Sequence, residues 1–173
     1  SYPDAPPITI RHLLAHISGV PSEAAFPYWT DFSFPEMKQV LDKLKEQETV
    51  YPSETKWKYS NLGYTLAGAI VEAVSGMPYA DYIQRNILDP LGMSSTSVTF
   101  PEENKQKMAR GYGRRLPGQE RKLMPFTDAR GIAACGGFSS TVGDMARFAS
   151  WIFRLRSQTG AEIIKSSTIK EMQ

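Results

Sequence analysis

Tyr59, Ser60 and Asn61 stand between a short extended run, Trp57 to Tyr59, and the strongest helical period of the chain. In extended backbone, residues two apart point the same way. Tyr59 and Asn61 therefore face one side together, a phenol that can pass a proton beside an amide that can donate and accept. On spacing alone, Asn61 reads equally well as a helix cap with Tyr59 packed beside it. His12 and His16 are four apart, so a helix puts both on one face, as in zinc proteases. Leu13 occupies the place of the glutamate base, and no third ligand is marked. Packing and local hydrogen bonding is the better reading, and no metal is expected.

Two Ser-x-x-Lys runs occur, Ser53-Glu54-Thr55-Lys56 and Ser167-Thr168-Ile169-Lys170. On one helix face this spacing lets the amine withdraw the hydroxyl proton. Ser53 follows Pro52 in a turn-like segment and Ser167 looks like a helix start near the chain end, so both read as decoys. Gly113 to Gly118 has the glycine spacing of a phosphate loop, but Gln119 and Glu120 replace its lysine and hydroxyl residue. A turn at Pro117-Gly118 explains those glycines, and no cofactor is expected.

The elements that must position these groups are mostly helical. Thr9 caps a short helix through Ile10, Leu13 and Leu14, stopped near Gly19. Ser33 and Glu36 form a capping-box pattern before Met37, Val40, Leu41 and Leu44. After Asn61, Leu62, Leu66, Ile70 and Val74 recur on one face, with Gly76 as the stop. Pro78 opens a further helix that ends near Pro90 and Gly92. Helix returns after Thr141 with a stripe of Met145, Phe148, Ala149 and Ile152, and a last short helix runs from Ser167. Residues 94–130, broken by Gly111, Gly113, Pro117 and Gly118, read as a long loop or hairpin excursion. Strand signals are few. The expected class is mainly α, a single helical domain over 1–173 without an α/β sheet domain.

At 173 residues, 41% apolar and 22% charged, the chain suits one folded core. No apolar run approaches the length of a membrane span. Ser1 to Pro7 show no basic segment with an apolar run behind it, so no signal peptide is expected. Cys135 is the only cysteine, which removes an internal disulfide. The stretch Lys105 to Lys122 is basic and contains Tyr112, yet the net charge is only +2. A solvated loop explains it better than a nucleic-acid patch.

Four ordered segments carry a family resemblance. Ile8 to Pro21 (ITIRHLLAHISGVP) resembles the helix and loop that follow the nucleophile region in the serine β-lactamase and penicillin-binding-protein-like family. Trp57 to Tyr64 (WKYSNLGY) resembles its second motif. Asp89 to Met93 (DPLGM) and Gly136 to Thr141 (GGFSST), followed by Asp144 to Phe148, are similar to further family segments. Class C β-lactamases, D-alanyl-D-alanine peptidases and related esterases belong to that family.

The resemblance implies acyl transfer to a serine and hydrolysis of a β-lactam, D-Ala peptide or ester. It gives Tyr59 the part of base or proton relay, and Asn61 that of holding the substrate amide and a nearby lysine. A free tyrosine ionises near pH ~10, so a relay at neutral pH needs neighbouring cations. Lys58 is expected to point to the opposite side of the extended run. Only seven residues precede Ile8, and they contain no serine–lysine pair of the kind that the family places upstream. The closing Lys- or His-started strand motif is likewise not found.

The chain is thus expected to be a fragment or isolated helical domain of a larger hydrolase, inactive alone. Its expected partners are the missing α/β domain and, through an uncovered face, a second copy. A small-molecule substrate is expected only once the full site is assembled. The alternative is a non-catalytic binding or self-associating helical module.

Overall fold

Thr9 opens the first helix, α1 (Ile10–Leu14). Its hydroxyl accepts the His12 backbone N–H, and the His12 ring accepts the Thr9 N–H, so two donors without helical partners are satisfied reciprocally. The computed structural model describes residues 2, 4–99, 102–157 and 162–172. The other α-helices in it are α2 (Tyr28–Asp31), α3 (Met37–Leu44), α4 (Asn61–Ser75), α5 (Tyr79–Ile83), α6 (Ala133–Gly136), α7 (Val142–Ser157) and α8 (Ser166–Glu171), with 3-10 turns at Glu102–Lys107 and Arg130–Ile132. A π-helical turn, Gln84–Leu88, extends α5.

Two local expectations shift. The cap of α3 is Glu36, boxed with Gln39, rather than Ser33 with Glu36. Phe34 precedes Pro35, a position disfavoured for helix, so the helix cannot start before the proline. In α7 the inward face is Phe148, Trp151 and Leu155, while Met145 is exposed. Asp144 sets this rotation. Its buried carboxylate accepts from the Ser95 N–H (2.8 Å), the Thr96 hydroxyl (2.8 Å) and the Arg147 guanidinium (2.8 Å). Burial opposes its charge, but those hydrogen bonds and the arginine outweigh it and hold the carboxyl below the usual range.

Three apolar clusters form the interior. Tyr28, Phe34, Val40, Leu62 and Ile132 build the one beneath the start of α4. Ile83, Leu88, Met93 and Val98 build the second, and Trp151, Leu155 and Ile169 the third, with Phe148 and Leu91 packed against both. Each fully buried side chain of this size contributes roughly 1.5–3 kcal/mol. Along α4, Leu62 and Leu66 face the first cluster, whereas Val74 is almost fully exposed near the Gly76 stop.

Among the described residues the extended pairings are isolated bridges, Ser97 with Ser139 and Tyr112 with Leu123, both antiparallel. The first ties the 137–139 segment to the chain after α5. The second closes a hairpin-like turn through Gly113 N–H to Lys122 C=O (2.8 Å) and Met124 N–H to Gly111 C=O (2.9 Å). No helix among the described residues is long and apolar enough to cross a membrane.

α4 packs against α1, α5 and α6. The approach of α6 depends on Gly68, where a Cβ would lie 2.4 Å from the Ala134 Cβ. Alanine there improves helix propensity by about 1 kcal/mol. Overpacking costs about 1–3 kcal/mol, and the clash wins. Gly68→Ala is therefore expected to lower stability by up to about 2 kcal/mol in urea unfolding; a rise in stability would show that α6 yields freely.

Candidate active site

The loop 16–23 clasps the segment 57–62, and that clasp directs the side chains of the motif. His16 sits just past α1 with φ 59°. Its carbonyl accepts the Lys58 N–H (2.7 Å) and its Nδ1 accepts the Ser60 N–H (3.1 Å). An accepting Nδ1 makes the ring neutral, with its proton on Nε2. The ring packs on Tyr59 and Tyr64 with centroids 4.7 and 5.0 Å away, and Trp57 meets it edge-on at 5.8 Å. Further on, Gly19 (φ 73°) lets the loop pass Tyr51, whose carbonyl oxygen would be 2.0 Å from any Cβ there.

Ser60 caps α4. Its hydroxyl accepts the Gly63 N–H (2.8 Å) and donates to the Pro21 carbonyl (2.6 Å), while the Ser22 carbonyl takes the Asn61 N–H (2.8 Å). The cap is thus Ser60 and not Asn61, whose amide is left for other work. Tyr59 and Asn61 line one cleft of about 470 Å³, walled also by Trp29, Phe34, Phe126, Phe138, Cys135 and Asp128. Tyr59 is 52% exposed, and among the described residues nothing hydrogen-bonds to its phenol oxygen.

Lys58 turns the other way. Its amine donates to the Ser22 hydroxyl (2.5 Å), which donates in turn to the Tyr59 carbonyl (3.0 Å). A serine–lysine contact therefore lies beside the motif, but its polarity is wrong for a nucleophile. The ammonium is the donor and the hydroxyl proton rests on a carbonyl, so no base draws it off.

The Ser-x-x-Lys runs do not meet Tyr59 either. The Ser53 hydroxyl is buried on the Pro6 carbonyl (2.6 Å), and the Lys56 amine lies 4.7 Å over the Tyr51 ring. Ser167 and Lys170 are exposed on α8. The two histidines part because α1 ends at Leu14; the His12 Nε2 contacts Glu54 Oε1 at 2.9 Å instead.

Sequence reading misses Glu23. Its Oε1 accepts the Asn61 amide N–H (2.7 Å) and its Oε2 accepts the Tyr28 hydroxyl (2.5 Å). No local pattern marks it, since 38 residues separate it from Asn61. Burial first, then Glu23, pushes the Tyr28 phenol well above its ordinary range. Burial also raises the Cys135 thiol, with Glu23 adding to it and Thr65 opposing, so the thiol that lines the cleft stays protonated.

The β-lactamase family model matches residues 1–172. Penicillin-binding protein 4* of Bacillus subtilis (strain 168) is 32% identical over 155 residues, which are 82% of this chain and 34% of that protein. The D-amino acid amidase from Ochrobactrum anthropi SV3, solved with D-phenylalanine, superposes with a TM-score of 0.71 at 30% identity, over 98% of this chain and 50% of its own. The octameric penicillin-binding protein homologue from Pyrococcus abyssi gives 0.70 at 32%, over 95% and 38%.

A mainly α class, expected from the helical periods, is corrected by these superpositions. The structures matched have the full α/β β-lactamase fold, so α/β is the class and the stretch seen here is its mainly helical part. Helical periods within a stretch report that stretch alone; strands elsewhere in a fold leave no trace in them. The chain spans about a third of the length of the curated relatives it matches.

Because burial lowers the His16 pKa, its neutral, accepting form belongs to the folded state. The unfolded chain then binds more protons below about pH 6.5, and stability falls as acid is added from there. Urea midpoints between pH 7.5 and 5 are expected to drop accordingly. His16→Asn, which tolerates the left-handed backbone, is expected to flatten that part of the slope; an unchanged slope would remove His16 as its source.

Proposed function

The chain belongs to the β-lactamase family of hydrolases, and on that premise we propose that it carries the Tyr59-Ser60-Asn61 part of an acyl-transfer site. In the whole enzyme a serine Oγ bonds to the carbonyl carbon of a β-lactam, D-Ala peptide or ester. Tyr59 takes the serine proton and returns it to the leaving nitrogen or oxygen. Water then adds to the acyl-enzyme, the ester bond to serine breaks, and a free acid leaves. Asn61 holds an amide of the substrate. The observation that carries this reading is the shared cleft: one clasp puts the exposed phenol and the held amide on the same wall. The aromatic walls suit an apolar substituent beside the scissile carbonyl.

The chain alone is inactive on this reading. Support comes from the serines described, none of which pairs with a lysine and the Tyr59 phenol, and from the share of the relatives that is spanned. Its partner is the α/β part of the fold, or a second copy through the same apolar face. Ile10, Leu14, Trp57, Val142 and Phe153 are exposed apolar side chains that such a partner could cover in part. A strictly monomeric sedimentation profile over a wide concentration range would argue against such a face.

Incubation of the 173-residue chain with a fluorescent penicillin is expected to leave no stoichiometric adduct by denaturing electrophoresis and mass spectrometry. An adduct on Ser22, Ser53 or Ser167 would overturn inactivity. A reading frame with Ser-x-x-Lys upstream and a terminal glycine motif downstream is expected, and in that longer protein Tyr59→Phe should slow acylation about 10²-fold or more. Unchanged acylation would refute the role given to Tyr59.

A further inference from the structure

We propose that Glu23 is a positioning residue for Asn61, its carboxylate fixing which edge of the amide the cleft meets. The inference rests on the reading above only in giving Asn61 a ligand to meet. An asparagine amide turns over easily, because its terminal torsion is broad and nearly two-fold. Each half turn exchanges the donor and acceptor corners that it presents. A carboxylate only accepts. With Asn61 Nδ2 2.7 Å from Glu23 Oε1, the turned-over amide would set an oxygen against a charged oxygen and lose a charge-assisted hydrogen bond.

The carboxylate is itself anchored. Tyr28 donates to its other oxygen at 2.5 Å, and Tyr28 is 1% exposed and stacked on Phe34 at 5.2 Å. The Glu23 carbonyl takes the Gln47 side-chain N–H (3.1 Å), which fixes the backbone below. Rigidity thus passes from the core through Tyr28 and Glu23 to Asn61. One amide N–H is spent in this arrangement. The second N–H and the carbonyl oxygen are left for the cleft that Asn61 lines, a donor–acceptor pair that fits a secondary amide.

The chain has three asparagines, Asn61, Asn86 and Asn104. Asparagine-selective ¹⁵N labelling therefore yields three side-chain amide pairs, each assigned by one substitution. The held N–H of Asn61 is expected to exchange about tenfold more slowly in the parent chain than in Glu23→Ala, the equivalent of one hydrogen bond to a charged group. Glu23→Gln is expected to recover part of that protection, because its amide oxygen still accepts. Tyr28→Phe, which leaves Asn61 and Glu23 in place, is expected to speed exchange at Asn61.

Asn86, whose amide donates to the Tyr82 carbonyl (2.9 Å) away from the cleft, reports that the fold is intact. Unchanged Asn61 exchange in Glu23→Ala with Asn86 still protected would overturn the proposal. Should Glu23→Ala lose the Asn86 signal as well, Tyr28→Phe decides: faster Asn61 exchange sustains the role and unchanged exchange ends it. Since none of these signals requires acylation, a failed penicillin experiment and a failed positioning experiment are told apart.

Discussion

His16 offers two acceptors from one residue, a carbonyl and a ring nitrogen, and the segment before α4 hangs on them. They take the N–H groups of Lys58 and Ser60, which lie on the same edge of an extended run. Tyr59, between them, must therefore face the other edge in backbone terms, and its ring settles against the imidazole. The left-handed backbone of His16 costs about 1–2 kcal/mol. Two hydrogen bonds at about 1 kcal/mol each, with the packing of three aromatic rings, offset that cost. The strain persists because the clasp over-determines it.

The same clasp decides which hydroxyls and amines are free. Ser60 is consumed as a cap and Ser22 as a bridge between Lys58 and the Tyr59 carbonyl. Ser60 and Ser22 thus both hold backbone in place. The cysteine on the cleft wall is excluded from nucleophilic work for another reason: burial and the nearby Glu23 carboxylate both disfavour its thiolate. The groups of the motif left for a ligand are a phenol on the rim and a partly spent amide, with aromatic walls around them.

What was legible in the sequence was short-range. Thr9 as a cap, Gly76 as a stop and the helix after Asn61 follow from side chains acting within a turn or two. The alternation that sends Lys58 away from the cleft is equally local. The turned face of α7 was not legible, because Met145 is as apolar as Trp151 and only the Asp144 contacts with Ser95 and Thr96, nearly fifty residues away, settle which faces inward. Glu23 escaped for the same reason. A carboxylate in a loop looks solvated until the chain returns with an amide and a buried phenol to meet it. The α/β class lay beyond local periods altogether.

If Tyr59 relays a proton as proposed, positive charge is needed near its oxygen, and the geometry limits where that charge can enter. Lys58 is committed on the far side of the extended run. His16 is stacked on the ring and held neutral by the Ser60 N–H, so it supplies packing and no cation. Asp128 is the charged side chain on the described wall of the cleft, and Glu23 meets it only through the Asn61 amide. A cation therefore has to approach the phenol from its exposed side rather than from the groups that build the clasp. The Asp128 carboxylate on the cleft wall attracts such a cation, and the one ammonium of the clasp, Lys58, is held away from the phenol on the Ser22 hydroxyl.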